Sequence, residues 1–243
     1  NIFMQGLNDL ISLDQDWCKL GKDYSLYIRP FIFASSECIK ASSSNEFKFM
    51  IITSPTSTYY NQDLNLFVEE KYTRAVKGGV GFAKAAGNYA ASFYPTKIAN
   101  SKGFQQVIWT DSSKHQFIEE CGTMNAAFVV DGKMLVPSTS DTILDGVTRK
   151  SAIQIAKDLG IEVEVRPISV AELREAAEEG KLKEAFGLGT AATVSLMCTI
   201  GFDGWDFELP PTENWTVAKN IRKSLEELRR GYSDDPYGWN IPV

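Results

Sequence analysis

The chain has 243 residues, enough for one large domain or two modest ones, and its 44% apolar fraction provides for a true core. Its net charge of −6 and pI of about 5.0, with no block of Lys or Arg, argue against general nucleic-acid binding. The four cysteines are scattered without a C-x-x-C, which excludes a zinc or dithiol motif, and one histidine excludes any mechanism that needs a His cluster.

Phe3, Leu7, Leu10 and Ile11 recur at helical spacing, so the chain opens in a helix. A first residue Asn1 inside such a pattern leads us to expect that upstream residues are missing, and any targeting signal with them. Ser25 to Phe33 reads as a strand ended or interrupted by Pro30, and Phe47 to Thr53 as a second strand stopped by Ser54-Pro55. Leu64 to Val68 is the third, and the whole stretch reads as part of an α+β unit. The charged run from Glu69 to Lys77, followed by Gly78, Gly79 and Gly81, suits a connector.

Beyond it, Asn88 to Ala99 reads as a helix kinked at Pro95, and Gln106 to Thr110 as a strand. His115, between Lys114 and Gln116, reads as a solvated surface residue. Ala126 to Val130 and Lys133 to Val136, joined by Asp131-Gly132, form a hairpin. Thr148 to Leu159 is an amphipathic helix with Ala152, Ile155, Ala156 and Leu159 on one face, closed by Gly160. Glu162 to Val165 is a strand, and Ser169 with Glu172 makes a capping box. Phe207 to Leu209 is a short extended piece before Pro210-Pro211. The last helix carries Val217, Ile221, Leu225 and Leu228 and stops at Gly231.

Four segments carry chemistry. Lys84 sits among Ala83, Ala85, Ala86 and Gly87, small residues that leave room for a flat ring and whose surroundings would desolvate the amine and favour its nucleophilic form. Glu120 precedes Cys121-Gly122-Thr123-Met124-Asn125; as a strand residue it faces away from Glu119. Gly146-Val147-Thr148 opens a helix, where free N–H groups and the helix dipole favour an anion and the Thr148 hydroxyl adds a hydrogen bond or a cap. Gly189-Thr190-Ala191-Ala192 is a second turn of small residues able to approach a phosphate or carboxylate. Alone, each has a bland explanation: a surface lysine, solvated acids, a helix cap, a tight turn. Together, a lysine amine, a carboxylate and two anion-binding turns are what a protein needs to hold pyridoxal 5'-phosphate (PLP) covalently.

The order and wording of these segments resemble the branched-chain amino acid aminotransferases, PLP enzymes of fold type IV (the D-amino acid aminotransferase-like fold). The likeness is strongest in Leu26 to Pro30, Arg74 to Ser92, Glu120 to Asn125, Gly146 to Arg149 and Gly187 to Ala192. It implies a two-domain α+β fold: a remnant of the small domain over 1–70, a connector over 71–80, and a large PLP-binding domain over 81–243. It also implies roles. Lys84 would be the Schiff-base lysine and the base that moves the substrate Cα proton, and Glu120 would pair with the pyridine nitrogen. Tyr89 would meet the cofactor's phenolic oxygen. Val147, Thr148 and Thr190 would hold the phosphate, and Arg74 would stand near the cofactor. The Thr190-Ala191 turn would receive the substrate carboxylate, with Tyr27, Tyr89, Thr123 and Ala191 lining the side-chain pocket. No metal is implied.

The implied reaction is transamination of leucine, isoleucine or valine with 2-oxoglutarate by a cytoplasmic homodimer. Another fold type IV activity, D-amino acid transamination or aminodeoxychorismate lyase, stays open, as does a non-catalytic truncated homologue acting as a binding partner. The family's further N-terminal segment, which completes the small domain and supplies an arginine to the phosphate, is not found here, so the small domain is expected to be incomplete. Ala192 and Ser195 stand where some animal members carry a redox C-x-x-C, so thiol regulation of that kind is not expected.

Overall fold

The computed structural model describes residues 2–19, 21, 24–57, 63–191 and 193–242. The chain divides into two units, residues 1–61 with 241–243, and residues 62–240. The third predicted strand therefore belongs with the larger unit, and the boundary falls before it rather than near residue 70. The expected connector, 71–80, lies inside the larger unit.

The smaller unit holds helix α1 (Ile2–Asp14) and an antiparallel ribbon of β1 (Tyr24–Ala34) and β2 (Phe47–Ser57). Phe3 of α1 meets Phe49 of β2 edge-on at 5.7 Å, and Thr53 Oγ1 donates to the Asp14 carboxylate. Both strands run through the prolines expected to stop them, with Pro30 opposite Ile51 and Pro55 opposite Leu26. Each strand of a two-stranded ribbon has an outer edge where a missing N–H costs no ladder bond.

The larger unit is built on a nine-stranded mixed sheet with helices packed on it. Its strands are β3 (Leu64–Glu69), β4 (Gln106–Thr110), β5 (Ile118–Cys121), β6 (Met124–Val130), β7 (Lys133–Val136), β8 (Val163–Val165), β9 (Leu182–Gly189), β10 (Thr193–Phe202) and β11 (Trp205–Glu208). β9 pairs with both β6 and β10, so the ladder β10-β3-β4-β5-β6-β9 returns on itself as a ring. Trp109, Phe128, Phe186, Leu66 and Met197 fill its core and are almost fully excluded from water. The helices are α2 (Ala86–Ala90), α3 (Phe93–Ser101), α4 (Val147–Asp158), α5 (Val170–Glu178) and α6 (Val217–Arg229).

Most elements fall where the patterns place them. Asp131 (φ 49°) and Gly132 (φ 78°) make the left-handed two-residue turn of the β6–β7 hairpin. Gly160, at φ 76°, ends α4. The Ser169 hydroxyl accepts from the Glu172 N–H at 3.0 Å, but the Glu172 carboxylate turns to Arg166, so only half of the capping box forms.

Other elements differ. The helix expected over 88–99 is two helices, broken at 91–92. Pro95 sits in the first turn of α3, where its missing N–H needs no partner, and a continuous helix would have driven its ring against the Ala91 carbonyl. His115 is half-buried rather than solvated: the Asp111 carboxylate gathers the N–H groups of Ser113, Lys114, Gln116 and Phe117, and the curled loop brings His115 Nδ1 to 2.8 Å from Thr110 Oγ1. β9 is unforeseen because Gly187 and Gly189 weaken its strand signal. The glycines are there for space: a Cβ at Gly187 would lie 2.6 Å from Met124 Cε.

Candidate active site

One end of the ring gathers the chemistry. The β5–β6 turn (122–123), the β9–β10 turn and the amino end of α4 converge there on one small, open cleft. Lys84, Glu120, Thr123, Val147, Thr148 and Thr190 line it, so six of the ten expected site residues meet at one place. Mouths of closed sheets are common ligand sites, because loops from several strands can aim at one volume there.

Lys84 is carried by a loop with little freedom. Gly81 passes so close to the 141–142 backbone that a Cβ would stand 2.7 Å from the Thr142 carbonyl oxygen, and the Phe82 N–H donates to Asp141 O at 3.0 Å. Asn88 Nδ2 ties the loop from the other side through the carbonyls of Val80 (2.9 Å) and Ala83 (3.0 Å). Lys84 Nζ then donates to the Tyr89 hydroxyl at 3.1 Å. The amine is exposed, so the Gly/Ala segment does not itself provide the expected desolvation.

Glu120 is 3% exposed. The Leu144 N–H donates to Oε1 at 2.7 Å, and Arg74 Nε lies 3.0 Å from Oε2. Nε is not aligned on any acceptor, so this contact is a charge pair rather than a directed hydrogen bond. Burial pushes the Glu120 carboxyl up to about 7, against Arg74 and the Leu144 amide, which pull it down. Such a carboxyl exchanges its proton near neutrality, which suits it to share one with a weakly basic ring nitrogen.

Arg74 does not line the cleft. It is buried behind Glu120, and Nη2 donates to the carbonyls of Gly81 (3.0 Å) and Thr142. It thus joins the lysine loop, the carboxylate and the 140–146 loop. Glu119 does not face away from this assembly. A β-bulge leaves it without a partner on β4, and its Oε1 accepts from Thr142 Oγ1.

At α4, Gly146 is the N-cap and no side chain caps the helix; Thr148 lies inside the first turn. The first-turn N–H groups are therefore without intrahelical partners, beside the cleft that Val147 and Thr148 line. A Cβ at Gly146 would fall 2.2 Å from Asn125 Oδ1, and Asn125 Nδ2 donates to Leu144 O at 2.8 Å. Asn125 and Leu144 also line the cleft. Asn125 was within a motif read from the sequence; Leu144 carried no signal, since its contribution is a backbone amide.

The remaining expected residues stand elsewhere. Tyr89 reaches the site through Lys84, and Ala191 neighbours Thr190 in its turn but is not part of the lining. Tyr27 is in the smaller unit, where its hydroxyl accepts from Arg29 Nη2 at 3.0 Å. Ala192 lies outside the described residues. No group of three or more metal-ligating side chains occurs among the described residues.

Residues 3–195 match the amino-transferase class IV family. The chain belongs to that family. It is 42% identical to a probable branched-chain-amino-acid aminotransferase of Staphylococcus epidermidis, over 99% of this chain and 68% of the relative. The crystal structure of the branched-chain amino acid aminotransferase of Escherichia coli superposes with a TM-score of 0.77 at 27% identity, over 98% of this chain and 73% of that one. Another branched-chain amino acid aminotransferase, that of T.th., is solved with pyridoxamine 5'-phosphate; it is 26% identical with a TM-score of 0.73, over 88% of this chain and 68% of that one. The same protein is also solved with N-(5'-phosphopyridoxyl)-L-glutamate. The fold is accordingly that of the type IV aminotransferases, and this chain is an aminotransferase.

Proposed function

We propose that this aminotransferase moves the amino group of branched-chain L-amino acids to 2-oxoglutarate, with PLP held in the cleft at the end of the strand ring. The observation that carries the reading is that a lysine amine, a buried carboxyl and the unpaired amino end of a helix line a single cleft. The donor set suits the cofactor: an amine for its aldehyde, a carboxyl for its ring nitrogen and backbone N–H groups for its phosphate. The names of the relatives supply the substrate class, and the bound phosphopyridoxyl-glutamate of one neighbour supports glutamate and 2-oxoglutarate as the second pair.

PLP, when bound, supplies an electron sink for the pair left at the substrate Cα. The chain's own residues do the rest. Glu120 keeps a proton at the ring nitrogen, which deepens that sink. Lys84 would hold the cofactor through its amine and would serve as the base that takes the proton from the substrate Cα. The Tyr89 hydroxyl, already in contact with the Lys84 amine, orients that amine and donates to the phenolic oxygen. The α4 amino end and Thr190 hold the phosphate. The Thr190-Ala191 turn takes the substrate carboxylate, and Thr123 borders the apolar side chain. The family likeness supports a homodimer as the working form.

The test is spectroscopic and chemical. The purified protein with PLP should absorb in the near ultraviolet or visible, and borohydride should fix the cofactor on the peptide containing Lys84. Lys84→Ala should lose both the band and all turnover of L-leucine with 2-oxoglutarate. A fully active Lys84→Ala would sink the assignment, and turnover of D-alanine without L-leucine would transfer it to the D-amino acid branch.

A further inference from the structure

The 140–146 loop supplies no side chain to the proposed chemistry, yet the lysine loop, Glu120 and Asn125 all lean on it. The Thr142 carbonyl receives Arg74, the Leu144 N–H aims Glu120 at 2.7 Å, and the Leu144 carbonyl receives Asn125 at 2.8 Å. Gly146 begins α4. An error in this loop would therefore displace the carboxylate and the phosphate-holding helix end together.

The loop is held by a residue that the reading above leaves idle. Glu119 Oε1 accepts from Thr142 Oγ1 at 2.5 Å, and the same hydroxyl lies 2.8 Å from Ser140 Oγ. Glu119 is 7% exposed, and its Oε2 is buried with no hydrogen-bond partner. A buried carboxyl with an idle oxygen costs stability, so its presence here calls for a reason. Simple strand alternation would have turned it away from its neighbour; the bulge at this position brings it to Thr142 instead.

We propose that Glu119 is a positioning residue: by holding Thr142 it sets the 140–146 loop, and through the loop both the aim of Glu120 and the amino end of α4. It touches neither cofactor nor substrate. Its role is that of a hydrogen-bond acceptor, not of a charge. Burial supports this, because it raises the Glu119 carboxyl and favours the neutral form. The consequence for the cofactor rests on the cleft being the PLP site; the order of the loop does not.

The experiment compares Glu119→Gln, Glu119→Ala, Thr142→Val and the double variant Glu119→Ala/Thr142→Val, each checked for native circular dichroism. Amide hydrogen exchange at Leu144 and at the start of α4 is read without cofactor, and PLP affinity is read from the absorbance. Glu119→Ala and Thr142→Val should each speed exchange at Leu144 and weaken PLP binding about tenfold. The double variant should be no worse than either, as for two ends of one bond. Glu119→Gln keeps an acceptor oxygen and should restore affinity to within about twofold, with an unchanged pH profile of the cofactor band. Unchanged exchange in Glu119→Ala, additive losses, or a pH profile shifted in Glu119→Gln would each overturn the proposal. If the wild-type protein takes up no PLP, the reading of the cleft falls instead, and exchange alone decides whether Glu119 holds the loop.

Discussion

Glu120 joins burial, one guanidinium and one backbone amide, and its proton has a measurable consequence for stability. Its carboxyl is raised from the ordinary 4.5 to about 7, chiefly by burial, with Arg74 and Lys84 opposing and Glu119 adding to the shift. The folded chain thus holds a proton that the unfolded chain has lost between about 4.5 and 7. The stability this provides is fully present below the lower value and is lost as pH rises through the upper one. Cofactor-free protein should therefore show a melting temperature that falls from pH 5 to pH 7.5, and Glu120→Gln should flatten that slope; a variant with the wild-type slope would remove Glu120 as its source. Gly146 offers a second test. Its φ of −66° suits any residue, so only space forbids a side chain. Gly146→Ala would press on Asn125 Oδ1 and should destabilise by about 1–3 kcal/mol with a marked loss of PLP affinity, read by urea unfolding and cofactor titration.

Among the elements, α6 shows how a helix far along the chain serves strands at the site. Its apolar face, Val217, Ile221, Leu225 and Leu228, is buried, as its spacing in the sequence indicated. Its amino end is capped from outside: the buried Glu184 of β9 accepts from the N–H groups of Thr216, Val217 and Ala218 at 2.7–3.0 Å. Further along, Arg222 donates twice to Val194 O and Arg229 donates to Thr193 Oγ1 at 2.5 Å. Thr193 has φ 51°, a strained setting for a β-branched residue, at the close of the turn that carries Thr190. The helix thus ties together both strands that flank this turn. Glu184→Ala removes the cap and should cost about 1–2 kcal/mol in urea unfolding. An unchanged midpoint would mean that water caps α6 equally well.

For the larger unit as a whole, closure of the ring is the central fact. β9 enters late in the chain but lies between β6 and β10, so the ring closes only when β9 has paired with β6 and β10 with β3, strands distant in the sequence. Phe186, fully buried on this strand, is where the closure is most exposed to disruption. Phe186→Ala should lower stability by about 3–5 kcal/mol with an unchanged denaturant slope, since a cavity there weakens the whole ring rather than one edge. A loss below about 1 kcal/mol would show that β9 is peripheral.

The sequence alone determined the elements whose signals are local: the Asp131-Gly132 turn, the Ser169 cap, the apolar face of α6 and that of α4 through Ala152, Ile155 and Ala156, although Leu159, read on the same face, is exposed at the helix end. Periodicity and turn chemistry are properties of adjacent residues, and they survive without tertiary context. Tertiary structure decided what depends on distant partners. Pro30 and Pro55 sit in strands because an outer edge tolerates them, and β9 is a strand because Met124 fills the space over its glycines. Arg74 stands behind Glu120 rather than in the cleft, and Leu144, which no motif marks, aims that carboxylate with a backbone amide. Glu119 turns toward the site because a bulge on β5 overrides the alternation that a strand pattern predicts. Such contacts join residues that are neighbours only once the ring has closed, so they carry no trace in local sequence.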